Sequence, residues 1–257
     1  MSVYNGMPFL KEAVKSILSQ SYKNFEFIIV DDASTDKTWQ YLKGIKDKRV
    51  KLIKNKNNLG LASSLNKGLK EARGNYIARM DADDISLPQR LETQLNFMQK
   101  NPTIDICGTW AKLMGEDGEI TSKVHKPLMD EKIKKMNKYI TGLIHPTWFG
   151  KKTVFEKLKG YNPNLDMVED YDFLVRAEKF KMANIGGELL LWRSQHNRRS
   201  QKNIEEMYKK SLSLRWHYFR KGNFGILYFP YLVRSFFTTY FFPTKLKILL
   251  NKKAGLI

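Results

Sequence analysis

The sequence has a single cysteine, Cys107, among its 257 residues. One cysteine excludes a disulfide within the chain and a metal cluster built from cysteines. The N-terminus also lacks a basic segment followed by an apolar core, which is the pattern of a secretory signal. We therefore expect a reducing, cytoplasmic environment.

Acidic residues are scarce, above all near the C-terminus. The sequence has 26 Asp and Glu residues against 45 Lys and Arg residues, which gives a formal net charge of +19. No acidic residue follows Glu206. An excess of positive charge favours polyanionic partners: nucleic acids, anionic lipids or acidic glycans. The basic residues after Glu206 are Lys209, Lys210, Arg215, Arg220, Lys221, Arg234, Lys245, Lys247, Lys252 and Lys253.

An uninterrupted apolar segment that could span a membrane is also missing. Residues 224–242 are apolar and aromatic, but Pro230 and Arg234 interrupt them, and a spanning helix needs about 20 mostly apolar residues. We predict that residues 201–257 form a basic, aromatic helical region. Two interpretations are open: an anchor at the surface of an anionic membrane, or a helical cap packed on the preceding domain.

The sequence does contain a regular alternation of helical and strand patterns. Apolar residues recur at helical spacing in 10–18, and aromatic and β-branched residues in 25–30 predict a buried strand. The alternation predicts an α/β fold with a doubly wound, mostly parallel sheet and helices on both faces. From Ile104 onwards the alternation of helices and strands is less regular. Other predicted helices are 37–45, 61–73, one starting at Pro88 and one from Lys151, and other predicted strands are 50–54, 76–80, 143–149 and segments near Ile106 and Ile120.

An acidic cluster, Asp81, Asp83 and Asp84, directly follows the predicted strand 76–80. Ligands of α/β sheets bind beyond the carboxyl ends of the strands, and Mg²⁺ or Mn²⁺ is commonly held there by carboxylates and substrate phosphates. The cluster therefore indicates a metal site for a phosphorylated substrate. For an isolated motif of this kind, a turn or helix cap would be the more common explanation.

Five motifs in this order resemble the inverting glycosyltransferases of family 2, which have the GT-A fold. The motifs are Ser2-Val3-Tyr4-Asn5-Gly6, Val30-Asp31-Asp32-Ala33-Ser34-Thr35-Asp36, Asn58-Leu59-Gly60, Asp81-Ala82-Asp83-Asp84 and Glu169-Asp170. The resemblance covers about residues 1–195. It implies a GT-A catalytic domain over 1–200, with a nucleotide-binding half (about 1–103) and an acceptor half (about 104–200).

The resemblance implies roles for residues of the nucleotide-binding half. Tyr4 and Asp32 match residues that hold the uracil of a UDP-sugar, and Ser2 and Asn5 lie in the same pocket. Asp81 would contact the ribose and also lie near the metal, and Asp83 would be the principal ligand of Mn²⁺ or Mg²⁺. Asp84 is an auxiliary candidate, and Arg79 is a flanking charge that could face phosphate or solvent.

Further roles are implied in the acceptor half. Asp170 matches the catalytic base that takes a proton from the acceptor hydroxyl, Glu169 is the alternative for that role, and Asp172 is expected to be structural. Arg193 is expected to contact the diphosphate, and His196 to complete the metal shell.

Two aromatic side chains in the acceptor half are left with two interpretations each. His145 resembles a residue lining the acceptor cleft, and Trp148 could stack on a sugar; both could instead be core residues. The Gln-x-x-Arg-Trp signature of processive synthases is absent, since Arg199 stands at the Trp position, so we expect addition of a single sugar.

The first strand is shorter than in the family, because Met1 stands at its end. Either the recorded start lies downstream of the real one, which we favour, or the fold tolerates a short strand whose neighbours keep unpaired backbone groups.

Together these features predict a metal-dependent, single-addition transferase. We expect a nucleotide-sugar donor, a glycan or lipid-linked glycan acceptor, and peripheral contact with the anionic inner face of the plasma membrane. A sugar nucleotidyltransferase would use the same sheet and metal, but no basic, Gly-rich triphosphate loop is present. A nucleic-acid-binding protein would explain the net charge but not the carboxylates at a strand end, so we expect no nucleic acid partner.

Overall fold

The structure is a computed structural model, and it describes residues 1–194, 203–243 and 246–247. Strands and helices alternate as the sequence predicts. The strands are β1 (Ser2–Val3), β2 (Phe27–Asp31), β3 (Val50–Lys54), β4 (Tyr76–Ala78), β5 (Ile85–Ser86), β6 (Ile106–Met114), β7 (Ile120–Val124), β8 (Phe149–Lys151) and β9 (Met182–Arg193). The helices are α1 (Leu10–Leu18), α2 (Thr38–Lys43), α3 (Leu61–Glu71), α4 (Arg90–Lys100), α5 (Asp130–Asn137), α6 (Lys152–Lys157), α7 (Glu169–Arg176), α8 (Ile204–Arg220) and α9 (Phe229–Phe241).

The first sheet contains β1, β2 and β3 in this order, all parallel. Helix α1 has the bounds that the sequence predicts, and it buries Leu10, Val14 and Ile17 on one face. This face packs in the same core cluster as Ile29 of β2. Apolar residues at helical spacing on α1 and in strand β2 thus build the core of the first half.

The second sheet is mixed. Its strand order is β4-β8-β6-β9-β5, with β7 paired to β6. Only β6 and β9 are parallel among its pairs, and the other pairs are antiparallel. The predicted α/β class is confirmed, whereas the parallel arrangement is limited to the first sheet and to this one pair.

The predicted strand 143–149 is wrong for most of its length. Residues His145–Thr147 form a 3-10 turn, and β8 begins only at Phe149. Pro146 has no N–H for a strand ladder, and the Thr147 hydroxyl donates a hydrogen bond to the Ile144 carbonyl at 2.7 Å, which stabilises the turn.

A cavity lies between the two sheets. Strand β1 is at the edge of the first sheet and β4 is at the edge of the second. A cavity of about 690 Å³ lies there, with Ile28 of β2 and Ile77 of β4 among its lining residues. Within the described residues, no strand joins the two sheets across it.

The C-terminal helices α8 and α9 pack in one cluster with α7. Leu214 and Tyr218 of α8 and Leu232 of α9 are buried in one cluster with Tyr171 and Val175 of α7. Helix α8 therefore is a packed cap, which was one of the two interpretations of this region. No helix among the described residues has both the length and the apolar character needed to cross a membrane.

Candidate active site

The acidic cluster lies where strand β4 ends. Ligand oxygens of Asp81, Asp83 and Asp84 all lie within 4.8 Å of one another, as a common cation would require. Asp84 is fully buried, and its Oδ1 accepts a hydrogen bond from the Arg193 backbone N–H at 2.9 Å. An all-oxygen set of carboxylates suits a hard divalent cation such as Mg²⁺ or Mn²⁺. The residues present therefore fit the predicted metal.

Arg79 is the main site residue whose role the sequence did not resolve. Its side chain is buried, and two guanidinium nitrogens contact both oxygens of Asp81, at 2.6 and 2.5 Å. Its backbone carbonyl accepts a hydrogen bond from Arg90 at 2.6 Å, and Arg90 is also fully buried. The pair with Asp81 fixes the first carboxylate of the acidic cluster in one orientation.

Arg193 contacts the backbone of the acidic cluster. Its Nε donates to the Asp83 carbonyl at 2.9 Å, and another guanidinium nitrogen contacts Glu12 of α1 at 2.5 Å. The guanidinium also lies over the ring of Phe9, 4.3 Å from its centroid. Arg193 is buried, and its remaining guanidinium nitrogen donates to the Glu116 carbonyl at 3.5 Å; its predicted contact with a diphosphate stays untested. The other predicted metal-shell residue, His196, lies outside the described residues.

The second acidic pair, Glu169 and Asp170, stands in the first turn of α7. Burial raises the pKa of both carboxyl groups. The negative charge of Asp170 raises the pKa of Glu169 further, and Glu169 Oε2 has no hydrogen-bond partner among the described residues. Two carboxyl groups this close do not both ionise easily, so the pair retains a proton to a higher pH than an exposed carboxyl group.

The acidic cluster at the end of β4 and the pair Glu169 and Asp170 influence each other electrostatically. The positive charge of Arg79 lowers the pKa of Asp170 and the negative charge of Asp81 raises it, both as smaller effects than burial. Arg79 is likewise affected by Asp81 and Asp84. The buried guanidinium of Arg79 thus pairs with Asp81 of the acidic cluster and is near enough to Asp170 to affect its pKa.

Lys126 is a second residue that the sequence analysis did not single out. Burial lowers the pKa of its ammonium group to about 8, and the nearby charge of Asp170 opposes this effect. Lys126 is in the segment between β7 and α5, far from α7 in the sequence. A lysine in an irregular segment gives no local signal of this proximity.

The predicted nucleotide loop is built around Asn5. Asn5 has a positive φ of 49°, and its Oδ1 accepts hydrogen bonds from the backbone N–H groups of Thr35 and Asp36 at 2.8 and 3.3 Å. Ala33 in the facing loop also has a positive φ, 61°. Non-glycine residues held in this region cluster at binding sites, which agrees with a ligand-binding function for these loops.

The residues on either side of Asn5 differ in accessibility. Ser2 is buried in β1, whereas Tyr4 is half exposed at 49%. The Tyr4 ring is therefore accessible to a ligand, and the predicted nucleotide contacts of Tyr4 and Ser2 stay untested.

Asp32 follows β2 and is buried. One oxygen accepts hydrogen bonds from Asn55 Nδ2 at 2.7 Å and from the Leu59 N–H at 2.8 Å, and the other accepts from the Gly60 N–H at 2.9 Å. Gly60 has a φ of 83°, a conformation that glycine adopts without strain. Asp32 therefore positions the Asn58-Leu59-Gly60 loop, and its predicted contact with a base stays untested.

His145 and Trp148 are core residues. Trp148 is fully buried, so it fills the core and does not stack on a sugar. His145 accepts or donates one hydrogen bond with the Tyr161 hydroxyl at 2.9 Å, and burial lowers its pKa well below the usual range. The core interpretation is therefore confirmed for Trp148, and His145 is a neutral side chain packed beside Arg79, whose charge lowers its pKa further.

Comparison with protein-family models gives one match, to Glycosyl transferase family 2, over residues 1–159. Several curated proteins are similar over most of the chain. An uncharacterized glycosyltransferase of Methanocaldococcus jannaschii is 41% identical over 202 residues, covering 75% of this chain and 69% of that protein. The putative glycosyltransferase EpsE of Bacillus subtilis is 39% identical over 193 residues, covering 72% and 68%. The O-antigen biosynthesis glycosyltransferase WbnJ of Escherichia coli is 33% identical over 226 residues, covering 84% and 86%.

Solved structures share the fold at low sequence identity. S. aureus TarS 1-349 in complex with UDP-GlcNAc has a TM-score of 0.67 and 19% identity, covering 83% of this chain and 63% of that chain. The mannosyltransferase PcManGT from Pyrobaculum calidifontis, in complex with GDP-Man and Mn²⁺, has a TM-score of 0.61 and 16% identity, covering 100% and 74%. At these identities the likeness concerns the fold alone.

Proposed function

Because the chain belongs to glycosyl transferase family 2 and has the predicted GT-A fold, we propose that it transfers one sugar from a nucleotide diphosphate donor to a hydroxyl group of a glycan. We propose an inverting, metal-dependent reaction in surface polysaccharide biosynthesis, the process named for WbnJ. The observation that carries this proposal is the cluster of Asp81, Asp83 and Asp84 at the end of β4, held by the buried Arg79, whose charge also acts on Asp170.

The donor is proposed to be a UDP-sugar. The exposed Tyr4 ring would stack on uracil, and Asp32, Ser2 and Asn5 would form the rest of the nucleotide pocket. The fold relatives support the class of donor, since TarS is in complex with UDP-GlcNAc and PcManGT with GDP-Man. A GDP-sugar is therefore the donor to compare directly with UDP-sugars.

Mn²⁺ or Mg²⁺ is proposed to bind Asp83, with Asp81 as a second ligand or a ribose contact. When bound, such an ion neutralises the negative charge that develops on a leaving diphosphate. Arg79 keeps the Asp81 carboxylate oriented, and the Asp84 and Arg193 contacts hold the backbone of the cluster in place.

Asp170 is proposed as the general base that accepts the proton of the acceptor hydroxyl. A base within hydrogen-bond reach contributes about 10²- to 10⁴-fold to a rate, and it is most effective when its pKa is near the working pH. The raised pKa of Asp170 moves it in that direction. Glu169 is the alternative base. If Asp170 is the base, the buried carboxyl group of Glu169 would instead influence the protonation of Asp170.

The acceptor is proposed to be a lipid-linked glycan at the cytoplasmic face of the membrane, where the protein would act as a peripheral enzyme. The basic, aromatic C-terminal region supports this placement, because positive charge and aromatic side chains favour the interface of an anionic membrane.

The test is the release of nucleoside diphosphate from a panel of UDP- and GDP-sugars, with and without Mn²⁺. Asp83→Asn should reduce metal-dependent turnover at least about 100-fold, because the ion loses its principal ligand. Asp170→Asn should abolish transfer and leave donor binding intact. The matched control is Asp117→Asn in the exposed turn between β6 and β7, which should have wild-type activity.

Wild-type transfer by the Asp170→Asn variant would refute the base assignment. Release of pyrophosphate from a nucleoside triphosphate and a sugar phosphate would instead indicate a sugar nucleotidyltransferase.

A further inference from the structure

Helix α9 has an inverted distribution of polar and apolar side chains. A surface helix normally buries its apolar face and exposes its polar face. In α9 the hydroxyl-bearing Ser235 and Thr239 are buried, at 9% and 6% exposed, together with Leu232. Phe237 and Phe241, on the opposite side of the helix, are 52% and 68% exposed. The aromatic side of α9 is therefore directed away from the protein.

The exposed aromatic residues form a continuous surface. Phe237 contacts Phe236 and Phe241, with ring centroids 5.8 and 5.7 Å apart, and Phe236 contacts Tyr240 at 5.0 Å. Leu227, in the short turn that precedes α9, is also 93% exposed. Contiguous apolar surface of this kind commonly marks an interaction site. We call it the aromatic surface and define it by Phe236, Phe237, Tyr240 and Phe241.

Helix α9 itself carries positive charge and no acidic residue. Arg234 of α9 and Arg220 and Lys221 at the end of α8 are exposed. No acidic residue follows Glu206 anywhere in the sequence. A protein partner that covered this surface would have to be acidic as well as apolar, whereas an anionic bilayer offers negative headgroups directly above apolar chains.

We propose that the aromatic surface docks on an anionic lipid bilayer, with α9 lying in the plane of the interface and its phenylalanine side chains inserted among the headgroups. Arg220, Lys221 and Arg234 then contact the lipid phosphates. This inference rests on the proposed function, because it names the residues that would bring the enzyme to a lipid-linked acceptor.

The docking surface and the candidate base belong to one packed unit. Helix α9 packs on α8, and α8 contacts the base helix α7 through the hydroxyl of Tyr218, which donates to Asp172 Oδ1 at 2.5 Å. Arg215 of α8 also lies 5.5 Å from the ring centroid of Tyr171. A bilayer bound by α9 therefore has a fixed orientation relative to Asp170.

The test is flotation of the full chain with vesicles, without donor or acceptor. One vesicle contains equal amounts of phosphatidylglycerol and phosphatidylcholine, and the other contains phosphatidylcholine alone. The Phe237→Ser, Phe241→Ser double variant should bind the anionic vesicles at least about tenfold more weakly, because burial of one Phe is worth about that factor. The matched control is Ile120→Ser, Met129→Ser, which changes two exposed apolar residues elsewhere and should bind like wild type.

Three results would overturn the proposal. The first is unchanged flotation of the Phe237→Ser, Phe241→Ser variant, and the second is equal flotation with both kinds of vesicle. The third is a dimer that forms without vesicles and is lost in that variant, because a second copy would then cover the surface. Release of nucleoside diphosphate with a water-soluble acceptor should be unchanged in the variant. Loss of flotation therefore tests docking, and failure of that release in the wild type tests the proposed enzyme.

Discussion

Replacing Arg79 by Met tests whether its charge stabilises the acidic site. Methionine keeps the length and apolar character of the side chain but removes the guanidinium. The variant therefore loses both contacts with Asp81 and leaves Asp84, Glu169 and Asp170 without their shared positive neighbour.

The size of the effect follows from burial. Removing one partner of a buried ion pair costs about 3–5 kcal/mol, because the remaining charge is left uncompensated. Arg79 is buried, but the Asp81 side chain is 25% exposed. Water can partly solvate the carboxylate, so we expect a loss of roughly 2–4 kcal/mol in the free energy of unfolding.

The assay is urea unfolding in EDTA, so that a bound cation does not compensate for the missing charge. The matched control is Arg73→Met, since Arg73 also pairs with a carboxylate, Glu26 at 3.3 Å, but is 84% exposed. An exposed pair is worth about 0–1 kcal/mol, so this variant should be close to wild type. A loss for Arg79→Met no larger than that for Arg73→Met would refute the reasoning. An Arg79→Met, Asp81→Asn double variant should recover part of the loss.

Two further predictions concern α7 and its contacts. Because the pKa of Glu169 is raised, the native state keeps a proton that the unfolded chain releases near pH 4.5, so stability should fall as pH rises above that value. Glu169→Gln should flatten this fall in urea unfolding at pH 4, 6 and 8, and an unchanged slope would contradict the assignment. Tyr218→Phe should cost roughly 1.5–3 kcal/mol, because the buried Asp172 loses a hydrogen bond. Tyr240→Phe is its exposed control, and equal stability of the two variants would exclude a stabilising role for the Tyr218 hydroxyl.

Local sequence signals predicted the elements of the first half well. The bounds predicted for α1 and β3 agree with the structure, because each is encoded by the spacing of neighbouring residues. The order of the second sheet was not accessible in this way. Strand β6 pairs with β9, which begins far downstream, and such pairing depends on contacts between distant segments. The same limit applies to the predicted strand 143–149, where Pro146 was the available but unused signal.

The candidate site also combines residues that local motifs identify with residues that only long-range contacts bring together. Motif spacing identified the acidic cluster, and the structure places its three carboxylates together. Arg79 appeared in the sequence only as a flanking charge, and its burial beside Asp81 and Arg90 depends on contacts formed in the folded chain. Lys126 was not indicated by the sequence for a similar reason. Lys126 lies in an irregular segment and comes near Asp170 of α7 only in the folded chain.

The C-terminal helices show why truncation cannot test membrane contact in this protein. Deleting the chain after residue 201 would remove Leu214 and Tyr218, which fill the core beside α7, together with the aromatic surface of α9. Such a protein would lose the packing against α7, and a change in partitioning would then report unfolding as readily as lost docking. Phe237 and Phe241 are exposed, so replacing them leaves the packing on α7 intact. Only substitutions of that kind separate the face of α9 that stabilises the fold from the face proposed to bind lipid.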